Sequence, residues 1–132
     1  LGNAVNLGSR VQGLTKYLQR SLLVTRATRE QLGDDFIARR VVRVRVVNIA
    51  APVDLYEVES AGLEMRRQFF AESEAALEEL ESAHFALAAS RAGKLLLEHP
   101  YDGPLLLLLS RASTALVQSD RAFDPVWEPP GK

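Results

Sequence analysis

The stretch FIARRVVRVRVVNIAAPVDLYEV, Phe36 to Val58, decides the fold. Within it Val42, Val44 and Val46 alternate with Arg43 and Arg45, a period of two that puts the valines on one face of a strand and the arginines on the other. Asn48 through Pro52 reads as a turn, because Pro52 has no N–H to give to a ladder, and Val53 to Val58 resumes a strand with Leu55 and Tyr56. Two consecutive strands joined by a short connection are most simply an antiparallel hairpin, over 36–49 and 53–58.

Upstream of this hairpin, Leu7, Val11, Leu14 and Leu18 recur at steps of four, three and four, which predicts a helix from Asn3 to about Gln19. Leu22-Leu23-Val24 is a short apolar run suited to a buried strand. Thr28 and Gln31 have capping-box spacing and Gly33 supplies a stop, so a short helix is expected over 27–32. Downstream of Gly62 no strand signal remains. Three amphipathic helices are expected, over 63–81, 84–98 and 104–117, the last with Pro104 in its first turn. Ala76, Ala88 and Pro100 have part of the spacing of a tetratricopeptide-like repeat, without its large aromatic positions. The final stretch, FDPVWEPPGK, is too rich in proline for a helix and reads as an extended tail anchored by Phe123 and Trp127.

The fold class expected from this order is α+β. Its divisions are a mixed segment over 1–60, a helical hairpin or bundle over 61–120 and a tail over 121–132. Charge divides at the same place: residues 1–60 carry nine Arg or Lys against six Asp or Glu, and residues 61–132 carry seven against eleven. A surplus of three is too small for the basic stripe of a nucleic-acid binder. With 47% hydrophobic and 25% charged residues the chain has the composition of a globular protein rather than a disordered one. No cysteine is present, which excludes disulfides, thiolate metal sites and a cysteine nucleophile. The longest run of consecutive leucines, Leu105 to Leu109, is far short of a membrane span, so no membrane contact is expected. Leu1 is expected to be an internal residue of a longer protein.

Few residues offer chemistry. His84 and His99 stand alone, fifteen positions apart; Asp34-Asp35 reads as a solvated loop; there is no glycine-rich phosphate loop. Asn6 and Arg10, four apart, share one side of the first predicted helix. An amide beside a permanent five-donor cation suits orienting a sugar and neutralising charge on a phosphate, and equally suits an ordinary polar helix face.

The run GNAVNLGSRVQGLTK, Gly2 to Lys16, resembles a segment of class III adenylate and guanylate cyclases with the pattern G-[DN]-x-V-N-x-[AG]-[AS]-R. The likeness continues in order through LLVTRATREQLGDDFIARRVVRVRV and PVDLYEV, to about residue 58. The resemblance implies the C-terminal part of a ferredoxin-like catalytic domain whose parent converts ATP or GTP to the cyclic 3′,5′-nucleotide and pyrophosphate. It gives Asn6 the role of orienting ribose or transition state and Arg10 that of stabilising the pentavalent phosphorus. It implies Mg2+ or Mn2+ held by aspartates that lie upstream in the family, with no metal ligand in this chain. It also implies a homodimer, in which Asn6 and Arg10 of one protomer face nucleotide on the other, and a cytoplasmic location. A phosphate-binding lysine that many members carry has no counterpart in Val46-Val47-Asn48-Ile49-Ala50, so Arg43 or Arg45 is a candidate substitute. Bacterial members often continue into a helical, repeat-like extension, which the stretch EHPYDGPLLLLL resembles and which makes Lys132 the expected C-terminus. The isolated chain is expected to be inactive. The alternative from another class is a noncatalytic module that dimerises through a degenerate cyclase half and binds a protein partner with its helices.

Overall fold

The computed structural model describes residues 13–15, 18 and 22–130. Most of the helix expected over 3–19 lies outside them; Gly13, Leu14, Thr15 and Leu18 are helical, with Leu14 and Leu18 buried. The chain divides into two units, residues 1–61 with 126–132, and residues 62–125.

In the first unit β1 (Leu23–Thr25) is one residue later than the apolar run suggested. It ends in Thr25, whose extended backbone and side-chain oxygen cap α1 (Arg26–Glu30) by accepting from the Thr28 amide at 3.5 Å. The capping threonine is therefore Thr25 rather than Thr28, because the strand delivers Thr25 already extended at the helix entrance. β2 (Phe36–Val44) and β3 (Val53–Ser60) form the expected antiparallel hairpin. Its turn is built around Asn48, which takes φ 68°, a left-handed conformation that asparagine tolerates better than most residues. The amide of Ile49 closes the turn on the Val46 carbonyl at 3.0 Å.

β3 is central, with β1 and β2 antiparallel on either side, giving the order β1-β3-β2. The register shifts between Arg40 and Val42: Arg40 pairs with Tyr56 and Val42 with the adjacent Leu55, so Val41 is an extra residue. This bulge reverses the faces of everything before it. Plain alternation back from Val44 and Val42 would place Arg40 beside the valines. The bulge instead puts Ile37 and Arg39 there, with Leu55 and Glu57, and leaves Arg40 and Arg43 on the face of Asp54 and Tyr56. Beyond β2, Trp127 makes a single parallel bridge to Val44: its amide donates to the Arg43 carbonyl and its carbonyl accepts from the Arg45 amide, both at 2.8 Å. A buried indole and two ladder bonds thus cover part of the outer edge of β2.

The second unit is α2 (Glu64–Glu81), α3 (Phe85–Glu98) and α4 (Gly103–Val117), with α2 packed on α3 and α3 on α4. α2 contributes Phe69, Phe70, Ser73, Ala76, Leu77 and Leu80 to the core, a helical stripe, and α3 answers with Ala88 and Ala92, one turn apart and small enough for close approach. α2 ends on Ala83 at φ 66°, and the following His84 amide returns to the Glu79 carbonyl at 2.9 Å. α4 begins at the buried cap Asp102, whose carboxylate accepts from the Leu105 amide at 3.0 Å. Phe123 packs edge-on against Phe85 with ring centroids 4.8 Å apart. Among the described residues no helix is long and apolar enough to cross a membrane.

Candidate functional site

The densest charge cluster is built by the sheet register. Asp54, the second residue of β3, stands directly across from Arg43 of β2. On the other side Thr25 is the last residue of β1 to pair with β3, and Arg26 follows as the chain turns into α1, bringing its guanidinium over the same carboxylate. Arg43 donates from Nε to Oδ1 at 2.8 Å and from Nη2 to Oδ2 at 3.2 Å; Arg26 donates from Nη2 to Oδ2 at 2.7 Å. Arg40, brought to this face by the bulge, places Nη1 3.6 Å from Oδ1. Arg29 of α1 lies 5.8 Å from the centre of the Tyr56 ring. The Asp54 and Arg40 side chains are 8% and 14% exposed, whereas those of Arg26 and Arg43 are 56% and 45% exposed, so the cluster has a buried floor and an open rim.

Burial by itself would push the Asp54 carboxyl up. Hydrogen bonds from Arg43 and Arg26, with the charges of Arg40 and Arg43, outweigh burial and hold it at about 2. Because the folded value lies below the unfolded 3.8, Asp54 stabilises the fold above pH 4, and that contribution fades as pH falls from about 4 through 2. It is worth on the order of 2 kcal/mol. Acid titrations of the wild type and Asp54→Asn should therefore show a stability gap at pH 7 that closes by pH 2; a gap independent of pH would contradict the assignment.

The opposite face of the same strands holds an ion pair of a different kind. Arg39 is fully buried and donates to Oε1 of Glu57, directly across the ladder, from Nε at 2.9 Å and from Nη2 at 2.6 Å. It lies among Leu55, Val42 and Val44 on the apolar side, away from the rim, and its place is structural.

Of the residues singled out in the sequence, Asn6 and Arg10 lie outside the described residues. Arg43 is in the cluster, held by Asp54. Arg45 is exposed just past β2, its amide bonded to Trp127. Arg26, Arg40 and Asp54 were missed. Counting outward from the expected turn, Asn48 to Pro52, sets Val46 rather than Arg43 opposite Asp54, because β2 leaves the ladder already at Val44, and the face of Arg40 depends on the bulge as well. All the cations here are guanidiniums, which bind and orient anions without transferring protons. Among the described residues no group of three or more His, Asp or Glu is arranged to hold a metal ion.

Part of the chain is similar to part of an adenylate cyclase. The relative is the terminal-differentiation-specific adenylate cyclase of Dictyostelium discoideum, 43% identical over 61 residues, which cover 44% of this chain and 3% of that protein's length. That relative is eukaryotic, whereas the helical extension had suggested bacterial members. No family model matches the chain, and no solved structure matches it.

Proposed function

We propose that this chain is the C-terminal part of a class III nucleotide cyclase catalytic domain with a helical, repeat-like appendage, acting in cytoplasmic signalling. The 43% identity to an adenylate cyclase over 61 residues carries the reading. The strand, short helix and antiparallel hairpin, found in the order the resemblance implied, support it. In the parent reaction the 3′-hydroxyl oxygen attacks the α-phosphorus of ATP or GTP, the bond from that phosphorus to the bridging oxygen breaks, pyrophosphate leaves and the hydroxyl proton passes to solvent. Asn6 orients the nucleotide and Arg10 neutralises charge growing on the phosphorus, so catalysis rests on positioning and electrostatics. Mg2+ or Mn2+ would be held by carboxylates of the longer protein, and two protomers would share the site.

The longer cyclase containing this chain should release cyclic nucleotide and pyrophosphate when supplied with ATP or GTP and Mn2+, and the isolated 132 residues should release none. The absence of lysine in Val46 to Ala50 favours a second reading, a noncatalytic dimerisation and protein-interaction module. A folded, dimeric parent that forms no cyclic product from either nucleotide would decide for that reading.

A further inference from the structure

The stretch that begins FDPVWEPPGK starts as a peptide laid on the surface of the helical unit. Residues 118–125 form neither helix nor strand, and all of them are exposed except Phe123, which is half-buried. Its ring lies edge-on to Phe85, the first residue of α3, with centroids 4.8 Å apart. From α4 the Arg111 guanidinium comes within 5.5 Å of the centre of the same ring. Arg111 Nη2 also donates to the main-chain carbonyls of Asp124, at 3.3 Å, and Pro125, at 3.1 Å. All of these residues belong to one unit of the chain.

The contacts are those of a ligand in a slot. One aromatic side chain meets an aromatic ring and a guanidinium, a pairing that selects rings through edge-to-face and cation–π attraction. Arg111 grips carbonyl oxygens, which any peptide possesses, and so fixes the backbone that follows the ring. Pro125 holds its own φ and keeps Asp124 out of the helical region, so the segment arrives non-helical and loses little freedom on docking. What the slot reads is an aromatic residue followed two positions later by proline. Five residues, 118–122, join Phe123 to the end of α4 and keep it close to the slot.

We propose that Phe85 and Arg111 form a peptide-binding slot, which Phe123-Asp124-Pro125 occupies in cis and which a partner protein enters with its own aromatic-x-proline segment, displacing the tail. The slot is made by the helices alone and stands whether or not the longer protein is a cyclase. Fluorescence anisotropy of a labelled peptide DRAFDP, residues 120–125, titrated with the 132-residue chain tests it. In the wild type the tethered tail competes at an effective concentration on the order of 1 mM. Phe123→Ala empties the slot and should bind the peptide at least tenfold more tightly than wild type does, with the helical circular dichroism unchanged. Adding Arg111→Gln or Phe85→Ala to that variant should weaken binding at least tenfold, as should making Phe123→Ala or Pro125→Ala in the peptide. Phe123→Leu, a gentler change in the chain, should fall between wild type and Phe123→Ala, so the result does not depend on the folding of one variant. Absence of saturable binding to folded Phe123→Ala and Phe123→Leu, equal affinity in these and wild type, or undiminished binding of the peptide that lacks the ring overturns the slot and leaves the tail a structural cap. Cyclic-nucleotide formation by the longer protein is a separate readout, so either reading can fail without the other.

Discussion

Glu57→Leu should lower the stability of the first unit by about 3–5 kcal/mol, the loss that follows when one partner of a buried ion pair is removed and the other is left charged in an apolar setting. Arg39 has no exposed surface and directs two hydrogen bonds at Glu57 Oε1. Without that carboxylate the guanidinium stays charged on the valine face of the sheet. The pair itself is a different matter, since replacing both members with apolar residues of similar volume is often neutral or stabilising. Arg39→Met combined with Glu57→Leu should therefore recover most of the loss. The chain's single tryptophan, Trp127, lies against Val44 in the same unit, so its fluorescence in a urea titration reports this unit separately from the helices. A single-variant loss under 1 kcal/mol, or a double variant no better than the single, would refute this account.

On the proposed cyclase reading, Arg10→Ala in a longer protein containing this chain should reduce kcat by roughly a hundred- to a thousandfold, the scale seen when one preorganised donor to a developing oxyanion is removed. The effect belongs in kcat because the positive charge is most needed as the phosphorus becomes pentavalent; KM should change much less. Arg10→Lys, which keeps charge but not the planar fork, should restore part of the rate. Thermal melting should be unchanged within a degree or two. Turnover within threefold of wild type would remove Arg10 from the reaction and shift weight to the interaction-module reading.

Local pattern made much of the architecture legible. The three helices after Gly62 appear within a residue of the expected bounds, because each has an apolar stripe of helical period and its own stop: Ser82 and Ala83, His99 and Pro100, or Gln118. The hairpin was readable from alternation and Pro52, although β2 stops at Val44 rather than Ile49, where the chain leaves the β3 ladder for the Asn48 turn while Trp127 bonds across from Arg43 and Arg45. The short helix was placed a residue late because Thr28 matched a capping pattern, and only the path of β1 shows Thr25 taking that role. At the candidate site the gap was wider. Arg43 drew notice as one arginine of an alternating run, while Arg26, seventeen residues earlier, carries no signal of its own.

From its own order of residues the chain is determined to be α+β, with strands in the first half and helices in the second, and to place no acidic residue before Glu30. Those properties follow from side-chain period, turn chemistry and charge, which act over a few neighbours. Which arginine is buried and which faces Asp54 was decided by tertiary structure. A one-residue bulge exchanges the faces of Arg39 and Arg40, and a bulge exists only relative to the strand it pairs with. The same long-range pairing draws Arg26 to Asp54 from twenty-eight residues away and sets Trp127 beside Val44.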